Sequence, residues 1–265
     1  MKLGFIGAGE MGGAIIRGLL KAGWKPEEIL ASVRTPDSAN RLSNTLGIAA
    51  YTDNRRVMLE ADRLFLAVKP AQMPDILAEI AACGTPAKPL ISMALGWTVE
   101  KIQAVLPQWP VVRIMPNTPL ALGEGVTLFH FAAETPKRDR RELMAMFDSM
   151  GKTFEISLPV FDAATAVSGS GPAFVYAFID ALIGAGQAQG LDEITARQLA
   201  VQTVIGAAQL VASEWASPAQ LARKVATPGG CTAAGMEVLF TSDFKDVLRE
   251  AVAATTRKAR AVSES

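Results

Sequence analysis

Histidine and cysteine are nearly missing from this 265-residue chain, which has one His, His130, and two cysteines, Cys83 and Cys231. A single histidine excludes multi-histidine zinc sites. Any Ser-His-Asp arrangement would depend on a residue inside GVTLFHFA, an apolar segment that reads as a strand, so His130 is read as structural. The cysteines are far apart and lack CxxC context, so neither a disulfide framework nor a metal site is expected. Net charge is missing too. The 26 Lys and Arg balance 26 Asp and Glu, leaving no broad electrostatic footprint for nucleic acid or an anionic membrane. The least polar run, AATAVSGSGPAFVYAFI (163–179), is short for a bilayer span and interrupted by Ser, Gly and Pro; it reads as a deeply buried helix. The opening MKLGFIGAGE puts glycines where a secretion signal needs an unbroken apolar core, so a cytoplasmic protein is expected. Its expected partners are small molecules or further copies of itself, with no nucleic acid and no membrane.

What is present divides the chain in two. In residues 1–157 the runs KLGFI, ILASV, RLFLAV, PLISMA and VVRIM are apolar without alternation, as strands of a parallel sheet covered on both faces would be. Amphipathic stretches lie between them, such as Met11 to Ala22, with Met11, Ala14, Ile15, Gly18, Leu19 and Ala22 on one face. Such alternation predicts βαβ units and a doubly wound α/β sheet. In residues 158–265 the strand signal vanishes. Ser170 and Pro172 can start a helix that Gly190 closes, Asp192 can cap another to about Glu214, Ser217-Pro218 opens a short one to about Val225, and Ser242 caps a last one. The segment AFVYAFIDALIGAG is apolar nearly all round, more than a domain of this size covers alone, so this half is expected to pack against a second copy.

The first strand runs into GAGEMG, with Gly7, Gly9 and Gly12 in GxGxxG spacing and a helix behind them. Gly7 permits the tight turn, Gly9 lets a pyrophosphate approach the backbone, and Gly12 lets the helix lie close to the strand. Dinucleotide binding is therefore expected at this turn. The second strand ends at Arg34-Thr35 instead of the acidic residue that holds the ribose hydroxyls of NAD, and an Arg suits the extra phosphate of NADP. Lys69-Pro70 and Pro116-Asn117-Thr118-Pro119 follow later strands and should border the cofactor, since ligands of open α/β sheets lie beyond the carboxyl ends of strands. A last stretch, VATPGGCTAAGM (225–236), interrupts the helical half with Pro228, Gly229 and Gly230 before a new helix opens at Cys231-Thr232.

Taken together, GFIGAGEMGGAIIRGL, FLAVKP, VRIMPNTP, SGSGPAFVY and VATPGGCTAAGMEVLF resemble the pyrroline-5-carboxylate reductase family, in the right order over almost the whole chain. The resemblance implies a Rossmann domain at 1–157 and an all-helical dimerisation and substrate-binding domain at 158–265, with dimers that can assemble into decamers. It implies reduction of 1-pyrroline-5-carboxylate to L-proline with NADPH preferred and NADH possible. By position, it places the pyrophosphate at Gly7, Ala8, Gly9, Glu10 and Met11, the phosphate-bearing ribose at Arg34 and Thr35, and the adenosine side at Asn54. Ala67, Val68, Lys69 and Pro70 would line the nicotinamide side, with Asn117 and Thr118 nearby. Pro228, Gly229, Gly230, Cys231 and Thr232 would bind substrate, with Thr232 facing the imine nitrogen and Glu214 close to it. Cys231 stands where the family often has Thr or Ala, and Ala226-Thr227 where Ser is common before the proline; Cys231 is read as a packing residue.

Two other readings make different demands. A β-hydroxyacid dehydrogenase shares the two-part plan but needs a lysine on the first helix of its second domain, and residues 173–189 contain none. A non-catalytic NADP sensor would bind cofactor without turnover and would leave the TPGG-x-T loop unexplained.

Overall fold

The short apolar runs form strands because a sheet covered on both faces has no wet side to fill with polar residues. The computed structural model describes residues 1–264. From the N-terminus it runs β1 (Leu3–Ile6), α1 (Glu10–Lys21), β2 (Ile29–Ser32), α2 (Pro36–Leu46), β3 (Ala49–Tyr51), α3 (Asn54–Glu60), β4 (Arg63–Leu66) and α4 (Met73–Cys83). Next come β5 (Leu90–Ser92), α5 (Val99–Val105), β6 (Val111–Pro116), β7 (Gly125–Phe131), α6 (Lys137–Asp148) and β8 (Gly151–Glu155). The strands form one sheet in the order β3-β2-β1-β4-β5-β6-β7-β8. Neighbours are parallel except β6 and β7. The connection order reverses between β1 and β4, where Ile6 stands opposite both Ser32 and Leu66. In a doubly wound sheet that reversal opens a crevice at the carboxyl ends of the two strands.

Each face of the sheet carries its own core. On one, Phe5 stacks on Phe65 with ring centroids 4.6 Å apart, and Phe129 meets Phe147 edge-on at 5.4 Å, under α1 and α6. On the other, Ile6, Leu64 and Leu66 pack with residues of α3, α4 and α5. Each fully buried side chain of this kind contributes roughly 1.5–3 kcal/mol. The sheet adds three strands to the five apolar runs, and one of them departs from an all-parallel arrangement. β3 and β8 form the two sheet edges, and β7 folds back antiparallel after the turn Thr118–Leu122.

The remaining described elements are α7 (Leu158–Ser168), α8 (Gly171–Ala188), α9 (Glu193–Ser213), α10 (Pro218–Val225), α11 (Cys231–Thr241) and α12 (Phe244–Glu264). α7 belongs with the sheet. Buried Arg113 of β6 pairs with Asp162 of α7 at 3.3 Å, and its guanidinium lies over the Phe161 ring. Residues Gly171–Ala253 form a second compact unit, while α12 from Ala254 onward belongs to the first. Three of the expected caps are present. Asp192 accepts from the Thr195 amide, Ser217 from that of Gln220, and Ser242 from that of Phe244. The expectation of one deeply buried helix over 163–179 is corrected in two ways. The run breaks at Gly169-Ser170 between α7 and α8, and no residue of α8 is buried in the single chain. By length and composition alone Leu158–Ala188 could cross a bilayer. The break, and an apolar face on every side of α8, instead suit a helix that buries itself against protein.

Candidate functional site

The turn from β1 into α1 sits at the sheet's switch point, and its three glycines are glycine for different reasons. Gly7 has φ +89°, and a Cβ there would lie 2.7 Å from the Ala67 carbonyl oxygen. A Cβ on Gly12 would lie 2.8 Å from the Gly7 oxygen and 2.9 Å from the Ala67 Cβ. These two positions answer to the fold. A Cβ on Gly9 would meet nothing within 4 Å, so the chain itself does not require glycine there. Gly9 is also the N-cap of α1 and supplies no side-chain cap. The first amides of α1, at Glu10, Met11 and Gly12, have no intrahelical acceptor and stand at the positive end of the helix dipole. Ala8 and Met11 pack on the core beneath, which fixes the direction of those amides.

The neighbouring strand ends converge on the same edge. The Gly7 amide donates to the Ser32 carbonyl and the Ala67 amide to the Ile6 carbonyl, each at 2.9 Å. Arg34 follows β2, exposed, with no ion pair among the described residues. Thr35 caps α2: its Oγ1 accepts from the Ser38 amide at 3.3 Å and donates to the Ser38 hydroxyl at 2.9 Å. Arg41 reaches the same hydroxyl at 3.5 Å. Asn54 opens α3, donates to Glu79 at 2.7 Å, and lines a cavity of about 410 Å³ with Asp53, Arg55 and Cys83. Beyond β4, Ala67 and Val68 are half-buried while Lys69 and Pro70 are exposed. The Pro70 carbonyl accepts from the Trp97 indole.

Asn117 has a different place from the one its sequence neighbours suggest. It is only 6% exposed. Its Oδ1 accepts from the Val126 amide at 2.8 Å and its Nδ2 donates to the Ser168 carbonyl at 3.0 Å, so the side chain ties β7 and the end of α7 to the turn. Thr118 beside it is exposed. His130 is structural, with Nδ1 3.1 Å from the Ile156 carbonyl and its ring edge-on to Phe161. Among the described residues no group of three or more His, Cys, Asp or Glu could hold a metal ion.

The second unit contains the other candidate residues. After α10 the chain passes Thr227 and Pro228, and Gly229 takes φ +73°. Gly230 has an ordinary φ of −84°, so only one of the two glycines is needed for its backbone conformation. Gly230 is small for another reason: a Cβ would lie 2.8 Å from the Thr227 hydroxyl. It is the N-cap of α11 without a side-chain cap, and Cys231 and Thr232 are exposed in the first turn. Cys231 therefore has no packing role within the single chain. Glu214 follows α9 and pairs with Lys224 at 3.3 Å on the surface of the same unit. Ser38, Arg41 and Trp97 form no sequence motif. Ser38 and Arg41 are separated from Arg34 by one helical turn or two, and that spacing is the only trace of them in the sequence.

Two family models match the chain: "pyrroline-5-carboxylate reductase dimerisation" over residues 159–262 and "NADP oxidoreductase coenzyme F420-dependent" over residues 2–96. The pyrroline-5-carboxylate reductase of Synechocystis sp. is 37% identical over 264 residues, covering 98% of this chain and 97% of that one. That of Glycine max is 34% identical, covering 98% and 96%. Among solved structures, the pyrroline carboxylate reductase of Plasmodium falciparum with NADP bound superposes with a TM-score of 0.90 at 32% identity, covering 99% and 98%. The Coxiella burnetii pyrroline-5-carboxylate reductase gives 0.91 at 30% identity, covering 100% and 99%. A Mycobacterium tuberculosis 3-hydroxyisobutyrate dehydrogenase, at 15% identity and 0.52 over 71% of this chain, shares the fold only. With relatives above 30% identity over nearly its full length, and the dimerisation domain in its helical half, the chain belongs to the pyrroline-5-carboxylate reductase family.

Proposed function

We propose that this chain reduces 1-pyrroline-5-carboxylate to L-proline with NADPH, NADH serving as a poorer substitute. The observation that carries the reading is the start of α11. It is an uncapped, exposed helix N-terminus opened by a glycine at positive φ, with the Thr232 hydroxyl in its first turn. Free amides at such a start bind a carboxylate, and the hydroxyl beside them can donate to or accept from a ring nitrogen next to it. A five-membered cyclic imine bearing a carboxylate offers both groups side by side. Pro228, Gly229, Gly230, Cys231 and Thr232 form its site, and Glu214 supports it as the nearby acidic residue.

The β1–α1 turn fits the dinucleotide. Gly9 leaves open the space a Cβ would fill, and the amides of Glu10 and Met11 face a pyrophosphate. Gly7 and Ala8 shape the turn, Arg34 and Thr35 hold the phosphate-bearing ribose, and Asn54 the adenosine side. Ala67, Val68, Lys69 and Pro70 border the nicotinamide side with Thr118; Asn117 contributes by holding that turn in place. Reduced nicotinamide, when bound, supplies the hydride that converts the C=N carbon to CH.

A protonated imine already carries the charge that this reduction removes, so the chain needs no histidine acid. Its residues act by fixing the ring in place, and orientation alone supplies roughly 7 kcal/mol or more. The functional division falls at residue 157, in line with a dimerisation match that begins at 159. The enzyme works in the cytoplasm as a dimer that can build a decamer. The test is NADPH absorbance on mixing purified protein with pyrroline-5-carboxylate: loss of absorbance only with both present is expected, and NADPH binding without turnover would overturn the enzyme reading.

A further inference from the structure

Trp97 follows β5 and has no place in the roles assigned above. Its indole N–H donates to the Pro70 carbonyl at 3.1 Å, and both Trp97 and Val68 pack on the core cluster under α4 and α5. The Pro70 carbonyl also accepts the Met73 amide, which closes the short turn Pro70–Gln72. The indole therefore holds the end of the Ala67–Pro70 wall from outside that wall's own backbone.

The turn that carries Trp97 is held on its other side. Its amide donates to the Ala94 carbonyl at 3.2 Å. Gly96 has φ +83°, and a Cβ there would lie 2.5 Å from the Val262 carbonyl oxygen and 2.7 Å from the Val262 Cγ1. The backbone of the turn thus rests directly on the last turn of α12, whose residues from Ala254 onward belong to the sheet unit. A chain of contacts runs from the end of α12 through Gly96 and Trp97 to Pro70.

We propose that Trp97 is a positioning residue for the cofactor. Its indole N–H fixes the Pro70 carbonyl and with it the Ala67–Pro70 wall, and Gly96 seats the turn on α12. This rests on the placement of the nicotinamide side at that wall. An ordinary structural hydrogen bond would show in stability. A bond that sets the wall of a reaction site shows in cofactor handling, because small displacements there are costly to the reaction geometry.

Trp97→Phe keeps the ring and removes the donor. The expected result is a Tm within about 2 °C of wild type, a Kd for NADPH raised about three- to tenfold, as for one lost neutral hydrogen bond, and a KM for pyrroline-5-carboxylate within about twofold. Hydrogen exchange at the amides of Gln72 and Met73 should quicken. An unchanged NADPH Kd with unchanged exchange overturns the proposal while wild-type turnover stands. A wild type that does not bind NADPH overturns it together with the function. A measurement free of folding effects is the Trp97 indole N–H resonance in the wild-type protein. It should exchange slowly and shift on addition of NADPH, and an unshifted, fast-exchanging signal counts against the role.

Discussion

Gly7 and Gly9 stand two residues apart, and substituting each should break a different property. Gly7→Ala places a side chain at φ +89° and 2.7 Å from a carbonyl oxygen, so it should destabilise the fold by at least about 1–2 kcal/mol in denaturant unfolding. Gly9→Ala meets nothing in the chain and should leave that midpoint unchanged, yet weaken NADPH binding at least about tenfold in a fluorescence titration. Thr232→Ala should lower kcat/KM by about ten- to thousandfold; activity within about twofold of wild type removes Thr232 from the mechanism. For Arg34→Ala, the ratio of KM for NADPH to KM for NADH should rise toward one, and an unchanged ratio would deny Arg34 its phosphate. At this scale the glycine roles were legible because GxGxxG states a backbone requirement. The role of Asn117 was not, because its partners Val126 and Ser168 lie 9 and 51 positions on, brought to it only by the fold-back of β7 and the docking of α7. Nor was the Trp97 contact, which joins turns 27 positions apart.

At the level of elements, the central strands were legible from their unbroken apolar runs, and the edges were not. β3 is three residues long, and β8, GKTFE, mixes exposed and half-buried positions with no run to detect. The start of α8 was legible in Ser170 and Pro172, whereas α7 was hidden inside an apolar run that read as part of one buried helix. What fixes α7 on the sheet is a buried ion pair. Burial pushes the Arg113 guanidinium down from its ordinary range, and Asp162 opposes that shift. Removing one partner should therefore cost more than removing both. Asp162→Ala is expected to lose about 3 kcal/mol in urea unfolding, and Arg113→Met with Asp162→Leu to recover much of it. Equal losses would mean that the pair does not hold α7. At the start of α9 the Thr195 hydroxyl and amide lower the Asp192 carboxyl below its usual value. Its contribution to stability is present above the ordinary aspartate pKa and is lost as pH falls through the lowered folded value. Asp192→Asn should flatten that acid limb in Tm measured against pH, and an unaltered limb would contradict the cap's role.

For the whole molecule, composition indicated early that the helical half could not cover its own apolar surface and would pack against a second copy. α8 has no buried residue in the single chain, with Tyr176 59% and Phe178 47% exposed. An apolar helix open on this scale marks an interface, and the dimerisation match covers it. Sedimentation at micromolar protein should show a dimer or a larger assembly, and a monomer would contradict the packing argued for α8. The catalytic expectations, for Thr232 and for the cofactor residues in turnover, depend on the imine being reduced at its C=N carbon. The most direct test supplies NADPH deuterated at the transferable position of its nicotinamide, together with pyrroline-5-carboxylate, and locates the label by mass spectrometry and NMR. Proline carrying one deuterium on its δ carbon, the ring carbon next to nitrogen that does not bear the carboxylate, is predicted; unlabelled proline, label on the carboxylate-bearing carbon, or no proline would contradict the account.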